Sequence, residues 1–289
     1  MIGTDPHPSP LPAGEGTIGT ALHSGPFPTG EGAADRNVLD LSKVCVQFDG
    51  LAVLDELDFS MKRGELRFLI GPNGAGKTTM LDVITGRTRP TSGKVTYNGI
   101  VDTARHREHE LVKLGIGRKF QTPTVFHSLT VYENFEVAAA YKQTLPMLFA
   151  DLPARTRERI EKVLDTVGLS GRRNDQAGIL PHGELQWLEI GLLLAQDPKL
   201  LLLDEPVAGM TRPERDKTGQ ILRSIAGSHS ILVVEHDMAF VREFATTVTV
   251  LHLGKVLSEG SVQEVQNDPR VIEVYLGHRH EREGEHASG

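Results

Sequence analysis

The feature that most constrains the fold is a glycine-rich segment at residues 71–79, which reads Gly-Pro-Asn-Gly-Ala-Gly-Lys-Thr-Thr and directly follows the apolar run 66–70. Two glycines bracket four residues and precede a lysine and a threonine, the pattern of a loop that binds phosphate. Glycines allow a tight turn after a strand, and the backbone N–H groups of such a turn converge on a concavity that suits an anion. The apolar stretch 80–84 predicts a helix whose positive dipole end points at the same place.

The side chains of this phosphate loop, residues 71–79, predict what it binds. The Lys77 ammonium is placed to reach the terminal phosphates of a nucleotide, and the Thr78 hydroxyl is placed to ligate Mg²⁺. The predicted nucleotide-binding residues here are Gly71, Pro72, Asn73, Gly74, Ala75, Gly76, Lys77, Thr78 and Thr79.

A buried strand further along the chain ends in two acids. Residues 200–203 are all leucine, and Asp204 and Glu205 follow them. Because burying charge is costly without a partner, a carboxylate pair at this place indicates a site rather than a structural need. Beside a phosphate loop, Asp204 can orient Mg²⁺ and Glu205 can polarise the water that attacks the γ-phosphate.

The next apolar strand, residues 231–234, ends in Glu235, His236 and Asp237. A histidine in this position can hydrogen-bond a γ-phosphate and help hold the attacking water. Taken alone, such a histidine is more often a capping or surface residue, and its place after the next strand is what favours a catalytic role.

The alternation of strands and helices predicts an α/β fold with a mostly parallel sheet. Short alternating strands before residue 62, at 39–41, 44–48 and 57–61, predict an N-terminal antiparallel β subdomain. The residue pattern between about residues 122 and 185 is typical of helices and predicts an inserted α-helical lobe.

Composition excludes several classes of function. A net charge of −7 and a pI near 6.0 argue against nucleic-acid binding, which usually requires a basic surface. No apolar run reaches the ~18 residues that a transmembrane helix needs. The N-terminus has neither the charged nor the apolar region of a secretory signal, so we expect a cytosolic polypeptide.

The ends of the chain differ from its middle. Residues 1–36 hold six of the 16 prolines and repeat a Pro/Gly-rich unit, so they predict a disordered tail, with a proline-rich docking segment as the alternative. Residues 278–289 predict a loose polar C-terminal tail. A single domain is expected over residues 37–277.

These motifs, in this order, resemble the ATP-binding subunits of ATP-binding cassette (ABC) transporters. The resemblance implies the ABC ATPase fold, which is built on a P-loop NTPase (RecA-like) core, and binding of ATP with Mg²⁺. It also implies that Phe48 stacks on adenine, and that Gln121, in the sequence Lys-Phe-Gln-Thr-Pro, senses Mg²⁺ and the attacking water. With Glu205 and His236, Gln121 completes the expected catalytic set, and with Thr78 and Asp204 the expected Mg²⁺ set.

The segment Leu180, Pro181, His182, Gly183 and Glu184 stands where this family has its signature sequence Leu-Ser-Gly-Gly-Gln. The resemblance implies that this signature segment acts in trans, on ATP held by a partner subunit. Pro181 replaces the serine that touches the γ-phosphate, His182 replaces the first glycine, and Thr211 replaces an aspartate that crosses the dimer interface. The departures therefore affect the site that this chain helps its partner to build.

The same resemblance implies the partners and the cellular location of the chain. The expected partners are a second ATPase subunit in a heterodimer, membrane permease subunits and, indirectly, a periplasmic solute-binding protein. The expected location is the cytoplasmic face of the inner membrane. The stretches 182–191, 194–198 and 205–211 resemble ATPases of the branched-chain amino acid and amide importer group. Within that group they are most similar to the urea-importer ATPase, so import of urea or a short amide is expected. The alternatives are an importer of branched-chain amino acids, a soluble ABC ATPase acting on ribosomes or DNA, and a nucleotide sensor that hydrolyses little.

Overall fold

A computed structural model describes residues 37–119, 125–140 and 152–275, arranged around two sheets. The strands are β1 (Asn37–Phe48), β2 (Leu51–Lys62), β3 (Leu66–Ile70), β4 (Ser92–Tyr97), β5 (Val101–Asp102), β6 (Ile116–Lys119), β7 (Leu200–Asp204), β8 (Ser230–Val234), β9 (Thr247–His252) and β10 (Lys255–Gly260). The helices are α1 (Lys77–Ile84), α2 (Glu108–Leu114), α3 (Val131–Ala140), α4 (Ala154–Val167), α5 (His182–Ala195), α6 (Arg212–Ile225), α7 (Met238–Phe244) and α8 (Val262–Gln266).

The larger sheet carries the strands that the glycine and acid motifs predict. Its strand order is β10-β9-β3-β8-β7-β6, and all neighbours are parallel except β9 and β10. Parallel strands deliver their carboxyl ends to one edge of the sheet. The phosphate loop after β3, the acids after β7 and the histidine after β8 therefore meet at that edge, and the mostly parallel α/β fold is confirmed.

The smaller sheet is antiparallel, with the order β2-β1-β4-β5. The two short strands predicted at 39–41 and 44–48 are one strand, β1. Lys43 has a left-handed φ of 48°, and the pairing of β1 with β2 is irregular between Leu41 and Val44. This irregularity moves the buried side chains from odd to even positions. The alternation of buried and exposed residues therefore restarts at Val44, and the sequence reads as two strands.

Strand side chains divide the core into two layers. On β7 and β8, Leu201, Leu203, Ile231 and Val233 pack with the helices α3 to α7, whereas Leu200, Leu202, Leu232 and Val234 pack with α1 and the smaller sheet. Burial on both faces explains the unbroken apolar runs of these strands.

The helical lobe packs through α3, α4 and α5. Phe135 of α3 is fully buried, and a side chain at Gly191 of α5 would place its Cβ only 2.7 Å from the Phe135 ring. The glycine therefore lets the two helices approach closely. The described helices α3 and α4 lie within residues 122–185, but the exact bounds of the lobe and of the domain stay predictions, and residues 1–36 and 278–289 lie outside the described residues.

Candidate nucleotide site

The phosphate loop has a geometry that only glycine accepts. Gly76, which precedes α1, has a φ of 101°, and a Cβ there would lie 2.8 Å from the carbonyl oxygen of Val53. The loop is closed by hydrogen bonds from Ala75 N–H to Pro72 O (3.2 Å) and from Met80 N–H to Gly76 O (2.8 Å). Such a loop at the start of an eight-residue helix leaves N–H groups directed at one concavity, so the residues present fit a phosphate group.

Lys77 lies across this loop. Its ammonium donates to the carbonyl oxygens of Gly71 (2.7 Å) and Pro72 (2.9 Å). Burial lowers the pKa of Lys77, while the charges of Glu205 and Asp204 act in the opposite direction. A partly desolvated ammonium gains from an incoming anion, whereas the two carboxylates oppose that anion unless a cation such as Mg²⁺ accompanies it.

The two predicted acids have different environments at the end of β7. Asp204 is 5% exposed, and burial raises the pKa of its carboxyl against the opposing charge of Arg118. Glu205 is half-buried and has a left-handed φ of 49°, held by a hydrogen bond from its N–H to Val234 O (2.9 Å). A non-glycine residue in this conformation is strained, and such strain is concentrated at functional sites.

Glu205 and His236 come together from different loops. The loop 205–211 joins β7 to α6, and the loop 235–237 joins β8 to α7. Glu205 Oε1 lies 3.3 Å from His236 Nδ1, and both side chains reach solvent. The structure therefore brings together a carboxylate and an imidazole at the sheet edge where the phosphate loop lies.

Sequence reasoning missed an ion-pair network beneath this edge. Arg118 of β6 is buried, pairs with Asp82 of α1 and lies 4.0 Å from the Asp204 carboxylate. Asp82 lies one helical turn after Thr78, so the guanidinium links the helix of the phosphate loop to the acid strand. The next residue, Lys119, pairs with Glu189 of α5 at 3.1 Å on the other face. Two consecutive cations in a strand that is buried on both faces are the signal that could have found this network.

The remaining predicted residues lie in several places. Phe48 ends β1 and is 50% exposed, on the hairpin whose Val53 and Leu54 contact the phosphate loop. Thr78 is exposed in the first turn of α1. Gln121 lies outside the described residues. The roles of all these side chains remain predictions.

The signature segment, residues 180–184, contacts the loop 205–211 of its own chain. Pro181 occupies the N-cap position of α5 with a φ of −56°, and His182 Nε2 lies 3.1 Å from Ala208 O. At Gly183, a Cβ would lie 2.2 Å from Glu214 Oε1. Among the described residues, no hydrogen bond or ion pair joins this segment to Lys77, Glu205 or His236 of the same chain.

Comparison with known proteins identifies the family. A sequence profile described as "ABC transporter" matches residues 54–208, and one described as "Branched-chain amino acid ATP-binding cassette transporter" matches residues 255–281. The high-affinity branched-chain amino acid transport ATP-binding protein LivG of Salmonella typhimurium is 33% identical over 255 residues, which cover 83% of this chain and 98% of that protein. BraF of Pseudomonas aeruginosa is 30% identical over 253 residues, with 84% and 98% covered. These relatives do not support the expected urea importer and favour the branched-chain amino acid alternative.

Solved structures agree with this result. The ADP conformation of an ATP-binding cassette of an ABC transporter superposes with a TM-score of 0.72 at 30% identity, covering 84% of this chain and 99% of that one. Among the described helices of the present structure, none has the length and apolar character to cross a bilayer. The chain belongs to the ABC transporter family, as an ATP-hydrolysing ATP-binding protein of the branched-chain amino acid importer type.

Proposed function

We propose that this chain is the ATPase subunit that powers import of branched-chain amino acids across the inner membrane. The observation that carries the proposal is the Glu205–His236 pair beside the phosphate loop, in a chain whose relatives are named for branched-chain amino acid transport. The identity of the solute is taken from what these relatives are named for.

The proposed reaction is attack of water on the γ-phosphorus of ATP. Lys77 and the backbone of the phosphate loop would hold the phosphates, and Thr78, Asp204 and Gln121 would hold Mg²⁺, which would neutralise charge on the phosphates. Glu205 accepts the proton of the attacking water as the P–O bond to ADP breaks. His236 orients that water and the γ-phosphate, and Phe48 stacks on adenine.

We propose that the complete site needs two subunits. The described polar contacts of the signature segment, residues 180–184, are with its own chain, at Ala208 and Arg172, and it would reach ATP only on a partner subunit. The partner in this proposal is a second, related ATPase with an ordinary serine in its signature. The site built from Lys77, Asp204, Glu205 and His236 would then be the competent one of the pair.

A groove beside the helical lobe is the proposed docking face for the membrane permease. It encloses about 400 Å³ between β6, α2, α3 and α5 and is lined mainly by apolar side chains. Phe126 and Val137 at its rim are 54% and 46% exposed. Exposed apolar side chains around a groove favour a protein partner, which would hold this subunit peripherally at the cytoplasmic face.

The test is reconstitution in liposomes with a permease, a second ATPase and a binding protein of a branched-chain amino acid importer. We expect leucine-loaded binding protein to stimulate ATP hydrolysis and leucine uptake, and urea to have no effect. Stimulation by urea or a short amide instead would replace the substrate while keeping the transport ATPase. If neither solute stimulates hydrolysis, the importer proposal fails. The Glu205→Gln variant controls for background ATPase.

A further inference from the structure

Glu235, which follows β8, is a buried carboxylate that has no role in the proposed reaction. It is 1% exposed. Its Oε1 accepts the N–H of Val207 (3.3 Å), and its Oε2 accepts the N–H groups of His236 (3.1 Å) and Asp237 (3.4 Å). A single side chain therefore binds the backbone of both loops, 205–211 and 235–237.

Burial of this carboxylate works against its charged form. Burial raises the pKa of Glu235, and the three N–H groups and the nearby His236 offset this only in part. Among the described residues, no lysine or arginine forms an ion pair with it. A buried charge without a cation lowers the stability of the fold, so its presence calls for another reason.

The backbone that Glu235 holds is the strained part of the site. Val207 lies two residues after Glu205, in the turn that starts at the left-handed φ of that residue and is closed by Ala208 N–H to Glu205 O (3.2 Å). On the other side, Asp237 caps α7 and pairs with Arg215 of α6. Glu235 thus ties a strained turn to a loop that is anchored at its far end.

We propose that Glu235 is a positioning residue that sets the separation of Glu205 and His236. Its described hydrogen bonds are to backbone N–H groups, and it acts by fixing the backbone from which those two side chains extend. The inference rests on the roles proposed above for Glu205 and His236. A glutamine cannot replace it, because its NH₂ group would face one of the N–H donors that the carboxylate accepts.

The test compares Glu235→Gln and Glu235→Asp with the wild-type chain, using Thr249→Val as the control. Thr249 is buried and hydrogen-bonded on β9, outside both loops. Hydrogen exchange of the nucleotide-free protein is measured in peptides covering residues 205–211 and 235–239. Glu235→Gln should exchange faster in both peptides, with residues 200–204 and 230–234 unchanged.

Kinetics supply the second measurement. Glu235→Gln should lower kcat by about tenfold or more while KM for ATP stays within about twofold, because misplacement of catalytic groups affects turnover rather than binding. Glu235→Asp, which keeps the carboxylate, should recover part of the loss, and Thr249→Val should keep the wild-type kcat.

Three outcomes would overturn the inference: unchanged exchange in both loops, an unchanged kcat, or a rise in exchange spread over the whole domain. The Glu205→Gln and His236→Ala variants are measured alongside. Wild-type turnover by both would refute the proposed roles of those residues, whereas their loss of activity with a fully active Glu235→Gln would refute only the role of Glu235.

Discussion

At the scale of single residues, the site depends on charges held where water is scarce. Lys77 is partly buried and Asp204 is buried, and burial lowers the pKa of Lys77 and raises the pKa of Asp204. Each is therefore less stable as a charged group than it would be in water, and binding of nucleotide phosphate with Mg²⁺ would relieve both. The residue chemistry thus favours the loaded site over the free one.

Lys77→Ala should weaken ATP binding by about 30-fold or more, since a charge-assisted hydrogen bond of this kind contributes ~2 kcal/mol. Equilibrium binding of a fluorescent ATP analogue measures it. Lys94→Ala, which removes an exposed lysine of β4, is the matched control. Wild-type affinity in the Lys77 variant would contradict the assignment of the phosphate loop.

Glu205→Gln should lower ATP turnover on the order of 10²- to 10⁴-fold while leaving ATP affinity intact, because the amide cannot accept a proton from water. Steady-state turnover in the assembled transporter, with ATP affinity measured separately, checks this. Glu158→Gln on the exposed face of α4 should behave as wild type. A rapid Glu205→Gln enzyme would exclude this carboxylate as the base.

At the scale of elements, the N-cap residue of α5 has no backbone N–H to donate. Pro181 is tolerated as the N-cap of α5 because an N–H is not needed there, and its carbonyl still accepts from Leu185 (3.0 Å). The helix therefore forms normally, while the hydroxyl expected at this position is missing. A substitution at Pro181 can therefore change the hydrogen bond offered to the phosphate without preventing α5 from forming.

Pro181→Ser should raise the ATPase rate of the isolated subunit severalfold, because a hydrogen bond to a charged phosphate contributes roughly 1.5 kcal/mol or more. Pro181→Ala is the control, since it restores the N–H without the hydroxyl. Equal steady-state rates for the serine and alanine variants would show that the hydroxyl at 181 does not reach the phosphate.

The strand β8 has a titratable group at each end, one buried and one half-buried. Glu235 follows it, and His229 precedes it, with its Nδ1 2.6 Å from Pro198 O. Burial lowers the pKa of His229 below its usual 6.5, although the Pro198 carbonyl opposes this. The folded protein therefore binds this proton less readily than the unfolded chain does.

The stability that His229 contributes should be present above pH 6.5 and lost as the pH falls through its lowered value in the folded state. His229→Asn keeps a donor near Pro198 O but does not titrate. The melting temperature of wild type relative to this variant should therefore fall between pH 7 and pH 5. A constant difference over this range would mean that His229 has the same pKa in both states.

Elements with strong patterns could be predicted from the sequence, and contacts between distant charges could not. The buried strands β3, β7 and β8 follow from unbroken apolar runs, and the loops after them from glycine and acid motifs. The continuity of β1 was missed because the bulge at Lys43 reverses the alternation. Arg118 and Glu235 were missed because their partners, Asp82 and Val207, are distant in sequence, so only the fold shows what these two charged groups contact.

At the scale of the whole molecule, residues 1–36 are expected to be dispensable. Their Pro/Gly-rich composition offers little apolar surface to bury. A chain beginning at residue 37 should melt within about 2 °C of the full chain and keep its ATPase rate. Thermal unfolding and turnover of the two proteins, side by side, decide this. A large loss of either would indicate that the segment packs on the domain or docks a partner.

The backbone at Glu205 has a consequence for how this protein evolves. A left-handed φ is a conformation that glycine adopts freely and that costs other residues roughly 1–2 kcal/mol. Selection for abundance alone would therefore favour glycine at position 205, and selection for hydrolysis opposes it. In a library of variants at position 205, glycine should be enriched when cells are sorted by protein level. It should be depleted when cells are selected by growth on the imported solute.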